Sequence, residues 1–155
     1  MRKFSRERAV NVKMAGKMLK GSYTQSVDAK GRMAFPAKLR ELMGESYVLT
    51  RGVGGCIFVF TPELFDAKAE KLSEQPMTAT ITVQRTLMAN AVDVDADKQG
   101  RILIPQRLRE MAGIDSEAVV TGVTDHCEIW NADKWNEKNS ISDEEYMKAL
   151  EAAGF

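Results

Sequence analysis

Between residues 92 and 96 the chain alternates Val92, Val94 and Ala96 with Asp93 and Asp95. A period of two predicts a strand with one wet face. Residues 21–27 (Gly-Ser-Tyr-Thr-Gln-Ser-Val) are strand-prone with weaker alternation. Each stretch runs into Asp-x-x-Gly-Arg. The aspartate can accept from backbone amides two residues on, and glycine tolerates positive φ. That pairing predicts a type I turn closed by a glycine bulge, joining two antiparallel strands. The return strands are 32–35 and 101–104. Pro36 and Pro105 stop them, and Gly44 and Gly113 follow one short helix later. In those helices Leu39, Leu42 and Met43, and Leu108, Met111 and Ala112, form the buried stripe. Lys38, Arg40, Arg107 and Arg109 fall on the outer face. Strands at 47–50 and 56–60 are matched by 118–121 and 127–130. Helices are expected at 62–72, at 84–90 and around Trp135. A last one is opened by the capping box of Ser142 and Glu145, with Tyr146, Met147 and Leu150 on one face.

These elements recur because the chain repeats itself. Asp28, Gly31, Arg32, Pro36, Leu39, Arg40 and Glu41 return without a gap as Asp97, Gly100, Arg101, Pro105, Leu108, Arg109 and Glu110, about 69 residues on. Each copy reads β-β-α-β-β. Alone, such a unit exposes sheet edges and half a core, and two units closing on each other remove both. The expected fold class is therefore mainly β with short helices (α+β), a pseudo-two-fold β-barrel. Its parts are a basic leader (1–17), a first repeat (18–65), a helical connector (66–91), a second repeat (92–136) and a C-terminal helix (137–155). The leader is either a basic extension or a misassigned start, with Met18 the first residue.

The 155 residues carry 22 basic and 22 acidic side chains, a net charge of zero that hides a gradient. Residues 1–18 hold six basic residues against Glu7, and residues 92–136 hold five basic against nine acidic. A polyanionic partner would meet the leader and first repeat more than the second. No apolar run approaches the ~18 residues of a membrane span, so no membrane partner is expected. Cys56 and Cys127 are two thiols without zinc spacing, which fits buried residues in a reducing cytoplasm.

Catalytic and metal patterns fail on position. Asp93, Asp95 and Asp97 faintly resemble a calcium loop, but the glycine is misplaced and Ile104 stands where the bidentate Glu belongs. His126 and Cys127 are strand neighbours and face opposite ways. The glycines at 52, 54 and 55 lie between strands and open no phosphate-binding helix. No enzyme activity, cofactor, metal or small-molecule substrate is expected.

The paired motifs resemble the SpoVT-AbrB swapped-hairpin fold. With both units in one chain, and Met18-Leu19-Lys20-Gly21 ahead of the first, they resemble the MraZ family of bacterial regulators. The resemblance covers roughly residues 18–152. It implies a transcription regulator, a repressor, that binds double-stranded DNA sequence-specifically as a homo-oligomeric ring. The sites would be tandem repeats in the promoter of the division and cell-wall gene cluster, and the protein cytoplasmic and nucleoid-associated. The implied DNA-contacting residues are Arg32 with Lys30 and Gly31, Arg101 with Lys98, and Arg40, Arg109 and Lys38. Arginine's planar fork suits phosphate or guanine. Asp28 and Asp97 would stabilise the turns. Two alternatives stand beside this: Asp28–Arg32 as a turn staple only, and Arg40 and Arg109 as ordinary helix-surface pairs. Phe65, Trp130, Trp135 and Tyr146 are candidates for chain-to-chain contact. The competing function is an antitoxin-like protein-interaction module using the C-terminal segment.

Overall fold

In the computed structural model, which describes residues 18–155, the two repeats have the same element order. The first runs β1 (Ser22–Ser26), β2 (Arg32–Ala34), α1 (Ala37–Met43), β3 (Ser46–Arg51), β4 (Ile57–Phe60), α2 (Pro62–Ser73) and α3 (Met77–Ala89). The second runs β5 (Val92–Asp95), β6 (Arg101–Leu103), α4 (Gln106–Ala112), β7 (Glu117–Val123), β8 (His126–Asn131), α5 (Ala132–Lys138) and α6 (Asp143–Ala152). The basic leader expected at 1–17 lies outside the described residues.

Six strands form one antiparallel sheet in the order β1-β7-β8-β4-β3-β5, and β2 pairs only with β6 in a separate two-stranded ribbon. The opening strand of each repeat pairs with the third strand of the other. Ser22 lies opposite Thr121 in β1–β7, and Ser46 opposite Asp95 in β3–β5. The expected barrel closure does not occur: the sheet is open, with β1 and β5 at its edges. The hairpin expected between β1 and β2 is likewise reduced to one bridge, Val27 to Met33. Both departures share a cause. The turn sends β2 out of the sheet to meet β6, with Met33 opposite Ile102, and leaves no strand to join the two edges. Asp93 and Asp95 on β5 place charge along one edge, which opposes further pairing.

One core is common to both repeats. Met33, Phe35, Leu39, Tyr47 and Leu49 pack in a single cluster with Ile102, Ile104, Leu108, Val120 and Ile129. Phe35 and Tyr47 bring their ring centroids to 4.6 Å. Cys56 and Cys127 are buried free thiols, as expected, and burial pushes both up to about 12. Leu42 is not in the expected stripe and is 40% exposed. The short α1 buries only the i, i+4 pair Leu39 and Met43, and Leu42 falls beside that line.

The outer side of β3 carries a second cluster. Val48, Phe60, Leu64 and Phe65 pack there with Leu87 and Ala91. Helix α3 spans Met77–Ala89, longer than the 84–90 helix expected from the sequence: Leu87 in its second half joins this cluster, and Thr80 is the residue buried in its first half. Phe65 and Trp130 are buried within the chain itself, whereas Tyr146 on α6 is 55% exposed.

Candidate nucleic-acid interface

The two Asp-x-x-Gly-Arg turns are near copies. In the first, Gly31 N–H donates to the Asp28 carbonyl (2.9 Å) and Asp28 N–H donates to the Arg32 carbonyl (3.0 Å). Gly31 closes the turn at φ 90°. Asp28 Oδ1 accepts from the amides of Lys30 and Arg32, at 3.0 and 2.9 Å. Its Oδ2 accepts from Arg32 Nε at 2.8 Å. The Arg32 amide, then the guanidinium and the Lys30 amide, hold this exposed carboxyl at about 2, below its ordinary 3.8. The second turn repeats each contact: Asp97 Oδ1 accepts from Gln99 and Arg101 N–H, both at 2.9 Å, and Oδ2 from Arg101 Nε at 3.0 Å. Asp97 is lowered as well, chiefly by the Arg101 amide.

Strand alternation then sorts the ribbon. Met33 and Ile102 face the core, and Arg32, Ala34, Arg101 and Leu103 face outward. Arg32 lies opposite Leu103, and Arg101 opposite Ala34. The two arginines are therefore diagonal neighbours, a relation that sets Cα atoms roughly 7–8 Å apart. Lys30 and Lys98 stand exposed on the turns beside them. Lys98 sits one place earlier in its turn than Lys30, so the ammonium groups are not symmetry mates. Leu103, 53% exposed, shares the outward face. No charge or motif marks it, and only the alternation Arg101-Ile102-Leu103 signals it.

Three of the expected contact residues sit otherwise than the sequence predicts. The Gly31 N–H is already donated inside its turn, and Gly31 is buried, so its amide is not presented to a phosphate. Arg40 and Arg109 do not lie free on the outer faces of their helices. They are half-buried and fold back over the opposite repeat's turn. Arg40 Nη1 donates to the Phe35 carbonyl (3.1 Å) and to the Gly100 carbonyl (3.3 Å). Arg109 Nε donates to the Ile104 carbonyl at 2.8 Å, and its Nη2 reaches the Lys30 carbonyl at 3.5 Å. Lys38 is exposed on α1, as expected.

A second polar cluster lies away from the ribbon. His126 Nδ1 contacts Asp125 Oδ1 at 2.7 Å, its ring stacks on Phe60, and Glu128 Oε2 is 3.9 Å from Nε2. Burial alone lowers the imidazole, but the Glu128 and Asp125 carboxylates outweigh it and raise the group. Cys127 turns the other way, into the core, with Sγ 3.5 Å from Met43 Sδ. Among the described residues no group of three or more His, Cys, Asp or Glu is placed to hold a metal ion.

The family model described as "MraZ protein, putative antitoxin-like" matches this chain twice, over residues 18–84 and 87–153. The chain belongs to the MraZ family. Each matched stretch takes in one turn and one strand of the ribbon, so each MraZ repeat supplies half of the ribbon. Three similar curated relatives are each named transcriptional regulator MraZ. The one from Symbiobacterium thermophilum is 39% identical over 87% of this chain and 99% of its own length. The one from Caldanaerobacter subterraneus subsp. tengcongensis is 40% identical over 86% of this chain and 95% of its own. The one from Acetivibrio thermocellus is 42% identical over 85% and 92%.

Proposed function

We propose that the protein is a transcription regulator that binds double-stranded DNA through the outward face of the β2–β6 ribbon. The observation that carries this reading is the pair Arg32 and Arg101, set diagonally on one exposed face by carboxylates in near-identical turns. Each guanidinium keeps Nη groups beyond the Nε–aspartate bond, and these can meet phosphate or a guanine edge. Lys30, Lys98 and Lys38 add phosphate contacts. Arg40 and Arg109 belong to the site through the turns they cover.

The binding is sequence-specific, at tandem repeats in the promoter of the division and cell-wall gene cluster, and represses by blocking polymerase. One ribbon covers little DNA. Several chains in a homo-oligomeric ring bring several ribbons to a repeated site, and linked weak contacts give strong avidity. The apolar side chains exposed on α6, Tyr146 and Met147, support chain-to-chain contact. The protein works in the cytoplasm at the nucleoid and catalyses no reaction.

A mobility-shift titration against the DNA upstream of its own gene, at several salt concentrations, tests this. Arg32→Ala should weaken binding by about 1–3 kcal/mol at the matched site if Arg32 reads a base, or weaken all sequences alike with a salt slope lower by about 1 if it meets phosphate. Unchanged affinity with an intact fold removes Arg32 from the site. A second reading, an antitoxin-like interaction module, is favoured by the same exposed α6 stripe. Partner binding that survives Arg32→Ala and is lost with Tyr146→Ala would establish it instead.

A further inference from the structure

We propose that Arg40 and Arg109 are crossed positioning residues: each repeat's helix arginine braces the other repeat's turn, so that the two turns form one preorganised reading head. The inference rests on the DNA-binding reading above for its consequence, though not for its geometry.

The ribbon brings the parts together. Phe35 N–H donates to the Gly100 carbonyl, and Ile104 N–H to the Gly31 carbonyl, both at 2.9 Å. The end of each ribbon strand therefore abuts the opposite turn, and Pro36 or Pro105 starts a helix there. One turn into that helix stands the arginine. Arg40 bridges its own strand end, at the Phe35 carbonyl, and the opposite turn, at the Gly100 carbonyl. Arg109 does the same between the carbonyls of Ile104 and Lys30. The glycines make room for this. A methyl group built on Gly31 would collide with the Arg109 guanidinium, and one on Gly100 with that of Arg40. Gly31 and Gly100 thus serve both the bend and the close approach of a planar cation from the other half.

A guanidinium suits the task and an ammonium does not. The bridge needs N–H donors carried on a flat, weakly hydrated cation half-buried against main chain, with Nη1 alone serving both carbonyls at Arg40 and Nε with Nη2 at Arg109, whereas lysine offers a compact, strongly hydrated point charge. Lysine can nonetheless replace arginine at a simple phosphate contact, and that difference makes the proposal testable. The Lys30 contact is the longest of the four, at 3.5 Å.

The test is amide hydrogen exchange on the full chain carrying Arg40→Lys or Arg109→Lys, without DNA, followed by titration with the upstream duplex. Arg40→Lys should quicken exchange about tenfold at 97–101 and leave 28–32 unchanged. Arg109→Lys should show the mirror image, quickening exchange at 28–32 and leaving 97–101 unchanged. A merely stabilising role would quicken all amides together and so overturn the proposal, as would a change confined to the mutated repeat. Intact exchange with unchanged DNA affinity would make Arg40 a surface charge that lysine can replace. If Arg40→Lys does not fold, Arg109→Lys carries the same crossed prediction. If the wild-type chain binds no DNA, the DNA reading fails while the exchange pattern still decides the brace.

Discussion

Helices α3 and α6 occupy equivalent places in the two repeats but are held in different ways. Helix α3 lies against β3, where Thr50 Oγ1 donates to the Leu87 carbonyl at 2.6 Å and Leu87 joins the cluster around Val48 and Phe60. Helix α6 buries none of its residues, and Tyr146 and Met147 are 55% and 61% exposed. Their local chemistry is reversed. Helix α6 has a Ser142 cap accepting from Glu145 N–H, three acidic residues in its first turn, and a Glu144–Lys148 pair. Helix α3 begins after Pro76 with no side-chain cap and no charge suited to either end. It also carries Thr78, Thr80, Ile81, Thr82 and Val83, poor helix formers. One helix is specified by its own sequence and the other by what it packs on.

The contrast can be broken in several places. The largest effect belongs to the core common to both halves. Phe35→Ala should cost about 3–5 kcal/mol in urea denaturation and unfold both repeats in one transition. Two separated transitions would mean that the halves are independent. Leu87→Ala should cost about 2 kcal/mol and remove helical signal, because α3 depends on that contact. Retained helicity would mean that α3 stands without its partner.

Acid should act on the turns next, and in the same direction on both. Asp28 has its carboxyl held near 2, so its support of the turn is full above the ordinary 3.8 and is lost as pH falls through about 2. Asp97 shifts in the same direction. Carboxyl-carbon NMR titration should find both below the ordinary range. Either one titrating at 3.8 would end the equivalence of the turns. The smallest effect is expected from removing 142–155, which should change folding stability by no more than about 0.5 kcal/mol. A larger loss would show that α6 has a partner within its own chain.

The same contrast explains what was legible in the sequence. Features written locally were readable: the α6 cap, the Asp-Gly-Arg turns, the proline and glycine bounds of α1 and α4, and the alternation of β5. Features set by distant pairing were not. Nothing near Ser26 signals that β1 joins β7, so a local hairpin was the natural expectation. The first two turns of α3 are invisible because packing overrides weak propensity. Arg40 and Arg109 were marked by charge and repetition, which point outward to a polyanion. The turn glycines held the missing clue, since a glycine also marks a place where another group comes close.

Pairing of Ser22 with Thr121 has a further consequence for how the molecule is made. As the chain leaves the ribosome, β1 emerges first but waits roughly a hundred residues for its mate, a costly long-range closure. Strand β5, by contrast, finds β3 already synthesised. The nascent first half is thus unfinished until β7 arrives for β1 and β8, a few residues later, for β4.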